Sequence, residues 1–393
     1  MTTINPEILV WARKSANLTR EQAVKKLSIK DTQKMCAVER LIAFENGTNQ
    51  PPRSMLDKMA KQYYRPLLSF YLEKPPKSAS RGVDFRKLPA DKVELDDTNL
   101  DILLRDVRVR QSMVKAALED EDEIEKLEFV GARSIADGKF ASLQLIKKVL
   151  NMDIQAYRNQ AAPTAAFSLL RQHTEKSGIF VLLKSDLGSF HTAIEADVFR
   201  GFVIADDIAP FIVINERDAV PACSFTLVHE LVHLILGNTG ISGLHADDDE
   251  EMFCNDVARE YLLPRMEMKL LDIHQSDTAT EREKKIDKFA RKRHLSRTMV
   301  AYAALREGLL DSETFGILAS KFRNQWKLSR DKKSNNQGMP SYYTVRRHRI
   351  GRGLLFLVDR MMVSGNLTTT KAAKILGVKP QNIQKLLNSG TLQ

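Results

Sequence analysis

The sequence predicts an α+β fold, mostly helical, and three observations carry that prediction. The centre of the chain holds three short β-branched and aromatic runs, "GIFVLLKS" (178–185), "GFVIAD" (201–206) and "PFIVIN" (210–215), bounded by Gly, Pro and Asn. Such runs are expected to be strands of one small sheet. On both sides the apolar residues recur at helical spacing between turn signals. Charge is also partitioned: residues 1–80 carry a net +7, residues 321–393 a net +13, and the middle about −10. Basic ends around an acidic centre suggest ends that bind nucleic acid or dock on an acidic surface.

The 393 residues are enough for two to four domains. With 43% hydrophobic and 28% charged residues the composition is that of a globular chain. No apolar run reaches membrane-spanning length, because the greasiest stretches, 227–236 and 354–363, are too short. No membrane partner is therefore expected. The N-terminus lacks a basic segment followed by a long apolar one. Cys36, Cys223 and Cys254 are too few and too scattered for a disulfide framework, so a reducing cytoplasm is expected.

From Pro6 to Leu72 the pattern is one of short helices. Thr19 and Gln22 form a capping box at the head of one of them, and Gly47 and Pro51-Pro52 break others. Several short helices in so few residues suggest a helix-turn-helix bundle. "EKPPKSASRG" (73–82) has linker composition. Residues 90–160 look helical and charge-rich, with heptad-like apolar spacing at Leu103, Leu104, Val107 and Val114. Helices are expected to continue to about Trp326, followed by a second linker at 329–341.

Between the strands and the later helices stands "TLVHELVHLILG" (226–237). His229 and His233 lie four apart, so on a helix they share one face about one turn from each other, where both can reach one cation. Glu230 is placed to act on a water rather than to ligate. This HExxH spacing is that of zinc hydrolases. The alternative is a core helix with satisfied histidines, but burying three polar groups within five residues is costly without partners. A catalytic zinc takes a third protein ligand. The candidates are His245, the acidic run 247–251 and Cys254. Glu251, Cys254 and Asn255 share one face of the next helix, and Glu251 is favoured because a carboxylate suits a hydrolytic zinc better than a thiolate and His245 has no familiar spacing, with Glu250 the nearest rival.

Two quoted segments then carry a resemblance. "FRGFVIADDIAPFIVINERDAVPACSFTLVHELVHLILG" followed by "EEMFCNDVAREYLLP" resembles the ImmA/IrrE family of zinc metallopeptidases over residues 199–264. The resemblance implies Zn2+ as cofactor, with His229, His233 and Glu251 as ligands and Glu230 as the catalytic acid/base. Asn255 is implied as a residue supporting the ligand helix, and Cys254 as packing. Arg200 and Arg217 are candidates for holding the oxyanion. The implied organisation is an XRE-like helix-turn-helix domain at 1–76, a linker and helical region at 77–160, a zincin-like metallopeptidase domain at 161–328 and a basic helix-turn-helix-like module at 338–393. The first is carried by "ILVWARKSANLTREQAVKKL", "FENGTNQPP" and "LDKMAKQYYRPLLSFYLEKPP", with Lys30, Lys34 and Arg40 as candidate phosphate contacts.

The last module is carried by "YYTVRRHRIGRGL" and "GNLTTTKAAKILGVKPQNIQKL". Arg346, Arg347, Arg349 and Arg352 form a basic cluster after Tyr342 and Tyr343, and two readings stand. The cluster binds nucleic acid, or it locks onto the acidic peptidase surface. The resemblance implies an endopeptidase that makes a limited cut in a protein regulator, such as a helix-turn-helix repressor or a toxin–antitoxin partner, with DNA as a further partner. The competing expectation is a DNA-binding regulator or antitoxin whose peptidase fold cleaves little.

Overall fold

A computed structural model describes residues 4–16, 18–75, 94–120, 125–189, 192–242, 249–274, 276–333 and 341–388. The fold is α+β and mostly helical, and it divides into two units, 1–104 and 105–393.

The first unit is built from α1 (Pro6–Lys14), α2 (Arg20–Leu27), α3 (Ala37–Glu45), α4 (Arg53–Gln62) and a 3-10 turn, Leu67–Tyr71. Local chemistry sets the helix starts. Asn5 caps α1 ahead of Pro6, and Thr19 with Gln22 closes the expected capping box on α2. Cys36 and Glu39 repeat that device on α3. The apolar faces meet in a core that includes Ile8, Leu9, Leu27, Leu41, Met59 and Phe70. Buried Glu45 receives Arg13 at 2.5 Å and Arg20 at 3.0 Å. Arg40 donates to the Lys30 carbonyl at 2.6 Å. Most of the linker expected at 73–82 lies outside the described residues.

The division between the units falls within α5 (Glu94–Glu119), where Leu103, Val107 and Val114 are buried at their heptad-like spacing. Then come α6 (Gly138–Leu150), α7 (Ile154–Arg158) and α8 (Pro163–Lys176). Within the stretch that looked helical, 127–134 instead forms a turn-rich segment that donates from the Gly131 and Arg133 backbone to the Leu234 and Ile235 carbonyls. The sheet consists of β1 (Phe180–Leu183), β2 (Gly201–Ile204), β3 (Phe211–Ile214) and, after helix α9 (Val220–Leu236), β4 (Gly240–Ser242). Its order is β1-β3-β2-β4, with β1 parallel to β3 and the other pairings antiparallel. β4 was not foreseen. It is three residues long, too short to show a period of two.

Helices α10 (Asp249–Leu262), α11 (Arg265–Met268), α12 (Ala279–Lys292), α13 (Arg297–Arg306) and α14 (Ser312–Lys333) follow. The last runs past the start of the expected second linker, of which 334–340 lie outside the described residues. The C-terminal segment forms α15 (Tyr342–Ile350), α16 (Arg352–Val363), α17 (Thr369–Leu376) and α18 (Ile383–Asn388). No described helix is long and apolar enough to cross a membrane.

The C-terminal helices pack on the edge of the sheet and on α8 through specific polar contacts. Arg349 pairs with Glu216 at 2.6 Å and Asp186 at 3.1 Å. Glu175 of α8 accepts the backbone N–H groups of Arg352 and Gly353 at 3.0 and 3.1 Å, at the head of α16. Arg171 donates to the His348 and Val181 carbonyls. A carboxylate at a helix N-terminus satisfies donors that otherwise have no partner.

Candidate metal centre

α9 is the floor of the site. It is apolar on nearly every side and packs between α8, α10 and the sheet, with Leu227, Val228, Leu231, Val232, Leu234 and Ile235 buried in the core. Helical geometry brings His229 and His233 over one another, and both are almost fully buried. Their Nε2 atoms lie 3.1 Å apart. Two facing ring nitrogens at that distance need a proton or a cation between them, because two lone pairs repel and two N–H groups clash.

α10 folds back along α9 and brings a carboxylate to the same point. Glu251 places Oε2 3.3 Å from His229 Nε2 and Oε1 3.2 Å from His233 Nε2. His229, His233 and Glu251 form a group whose ligand atoms lie within 4.8 Å of one another. A tetrahedral zinc with bonds of about 2.0–2.1 Å has ligand–ligand edges of about 3.3 Å. The spacing and the neutral-nitrogen, carboxylate donor set therefore fit Zn2+.

Glu250, the rival third ligand, takes a different place. Its Oε1 lies 3.1 Å from His233 Nδ1 and accepts from Asn238 Nδ2 at 2.7 Å. A carboxylate on the far ring nitrogen fixes the tautomer and the orientation of a ligating imidazole. Asn238 was not foreseen, and no local pattern marks it. Cys254 Sγ approaches the same Nδ1 at 3.7 Å. Asn255 lies beside His229, where its amide favours the protonated ring. His245 and residues 247–248 fall outside the described residues.

The electrostatics follow from burial and from these partners. Burial pushes the pKa of His229 below its ordinary value, which keeps it a neutral donor. Burial acts the same way on His233, but hydrogen bonds with Cys254, Glu250 and Glu251 outweigh it and the pKa rises. For Glu251 burial opposes ionisation, yet hydrogen bonds with both histidines hold its pKa at about 2. Acceptors that favour a proton at this point favour any other small cation there too.

Glu230 is fully buried. Its side chain lies over the start of β2, where a Cβ on Gly201 would stand 2.7 Å from Glu230 Oε1 and 2.6 Å from Thr226 Cγ2. Gly201 is thus required by close approach, a role that only the fold makes visible. Of the oxyanion candidates, Arg217 is paired with Glu195 at 2.6 Å, and Arg200 is exposed and acts on Asp218.

α10 is held in register from several directions. Buried Asp256 receives Lys139 of α6 at 2.5 Å and Arg306 of α13 at 2.8 Å. Arg158 donates to the Leu262 carbonyl at the helix end. The C-terminal arginines sit elsewhere. Arg349 is held by Glu216 and Asp186, Arg347 donates to the Leu386 and Leu387 carbonyls, Arg346 stacks on Tyr342, and Arg352 is exposed. Cavities of about 490 and 420 Å³ lie between α8 and α15–α16 and between α5 and α17, and neither includes a metal-site residue. The donor geometry, rather than cavity size, marks the candidate metal centre.

No curated protein and no solved structure matches the chain. Residues 174–305, which hold the sheet, both histidines and Glu251, match the family model described as the IrrE N-terminal-like domain, Peptidase_M78, and that region is thereby related to a peptidase family.

Proposed function

We propose that the chain is a zinc-dependent endopeptidase that makes a limited cut in a protein regulator, a repressor or antitoxin-like partner, in the cytoplasm. Its flanking modules are of DNA-binding type. The observation that carries the reading is the meeting of His229, His233 and Glu251 at 3.1–3.3 Å inside the region related to a peptidase family. His229 and His233 would hold zinc through Nε2 and Glu251 through its carboxylate. Bound zinc supplies Lewis acidity, which acidifies water and polarises a peptide carbonyl. Glu230 then takes a proton from the attacking water and passes it to the leaving amide nitrogen. Glu250 holds the His233 ring in its ligating orientation.

Metal analysis of the purified protein should find about one zinc per chain, lost in His233→Ala. Glu230→Gln should keep the metal and lose cleavage of a co-expressed partner. Metal-free wild-type protein would sink the proposal. The complete burial of Glu230 favours a second reading, a DNA-binding regulator that cleaves little. If regulation in cells survives Glu230→Gln unchanged, that second reading stands in its place.

A further inference from the structure

The four arginines of the C-terminal cluster do not form one free basic surface, since Arg346, Arg347 and Arg349 are engaged within the chain. The unengaged basic surface lies further on, over α17 and α18. From Ser364 to Asn388 the chain has four lysines and no Asp or Glu. Ala372, Ala373, Ile375, Leu376, Ile383, Leu386 and Leu387 are buried on one side. Lys374, Lys379, Gln381, Gln384, Lys385 and Asn388 are exposed on the other.

Six residues, 377–382, join the two helices. Thr368 caps α17, and Gly377 ends it in the left-handed region at φ 64°. A side chain at Gly377 would collide with the Arg110 guanidinium, 2.2 Å from the position of its Cβ, so α5 backs the turn directly. Lys379 and the Pro380–Asn382 turn then lead into α18. Arg347 ties the α18 carbonyls to α15, and Tyr343 donates to Asn382 at 3.3 Å. Two helices joined by a short glycine turn and backed by a third are the architecture that places a second helix in a DNA groove.

We infer that the exposed face of α17–α18 binds duplex DNA. Lys374, Lys379 and Lys385 meet phosphates, and Gln381 and Gln384 face the base edges, where amides pair with adenine. The inference deepens the reading that the flanking modules bind DNA and rests on it, but not on peptidase chemistry. The surface is unsuited to other anionic partners. Residues 357–393 contain no aromatic residue on which an unpaired base could stack. From Thr368 to Asn388 the one exposed apolar residue is Pro380, too small a surface to anchor an acidic protein.

The test is fluorescence anisotropy of the full chain with a labelled mixed-sequence duplex of about 30 bp, from about 50 to about 200 mM salt. Lys379→Glu with Lys385→Glu should weaken binding about tenfold or more and lower the salt slope by about 2. Lys292→Ala, exposed on α12, should stay within about twofold of wild type. All three are surface substitutions, and matched melting temperatures will show that the fold is kept. If wild type binds and the lysine pair changes nothing, the surface assignment is overturned while the flanking-module reading survives. If no duplex binds at low salt, both fall. Tighter binding to single-stranded RNA of the same length, lost with the same lysines, overturns duplex DNA as the partner.

Discussion

Glu250 Oε1 stands 3.1 Å from His233 Nδ1, on the opposite side of the ring from Glu251, whose Oε1 stands 3.2 Å from Nε2. Two successive glutamates thus hold one imidazole at both nitrogens, one as a candidate ligand and the other as an orienting acceptor. Their substitutions should separate. Glu251→Ala is expected to abolish stoichiometric zinc, whereas Glu250→Gln should keep a full equivalent bound about 10–100-fold more weakly. Competition with a chromophoric chelator measures both. Equal losses from the two would mean that the carboxylates share one role.

Gly201 sets how closely β2 passes beneath α9. A methyl group there meets Thr226 Cγ2 at 2.6 Å and Glu230 Oε1 at 2.7 Å, and both neighbours belong to a packed helix. Gly201→Ala should cost about 1–3 kcal/mol by overpacking, read from urea denaturation. Any surviving activity should fall, because Glu230 must move. Wild-type stability in this variant would show that the contact relaxes freely.

Lys184, just after β1, is largely buried and pairs with Asp106 at 2.7 Å. Burial, with Arg110 nearby, pulls its pKa from 10.5 down to about 8. Between those two values the unfolded chain binds more protons than the folded one, so folding stability contributed at this residue rises with pH through that window. Asp106 also pairs with Arg110 at 2.8 Å, so it keeps a cationic partner in Lys184→Met. Relative to Lys184→Met, wild type should therefore gain up to about 3 kcal/mol between pH 8 and 10.5. Denaturation at the two ends of the range tests this, and a constant difference between the two proteins would refute it.

The histidine pair was legible in the sequence because it depends only on helical periodicity. The third position was less so. Residues 247–251 offer five adjacent carboxylates, and neighbouring side chains on a helix point about 100° apart. Only the way α10 folds back on α9 separates Glu251 at Nε2 from Glu250 at Nδ1. Gly201 and Asn238 were invisible because their roles arise from contacts between distant segments. The central strands announced themselves by β-branched runs, whereas β4 has three residues and no pattern of its own. Charge counts located the basic C-terminal segment but could not tell Arg349, spent on Glu216 and Asp186, from the exposed lysines.

Among the described residues β1 is a boundary strand, since the order β1-β3-β2-β4 leaves one of its sides without a strand partner. α15 and α16 pack against it, and all four of its residues, Phe180–Leu183, are buried. The family-matched span 174–305 omits those two helices, all of α6 and most of α8. A fragment trimmed to that span would present an open, wholly apolar strand to its neighbours, the arrangement from which chains add to one another strand by strand. Its fate in a test tube would be precipitation, and a minimal folded fragment must be cut to retain the C-terminal helices.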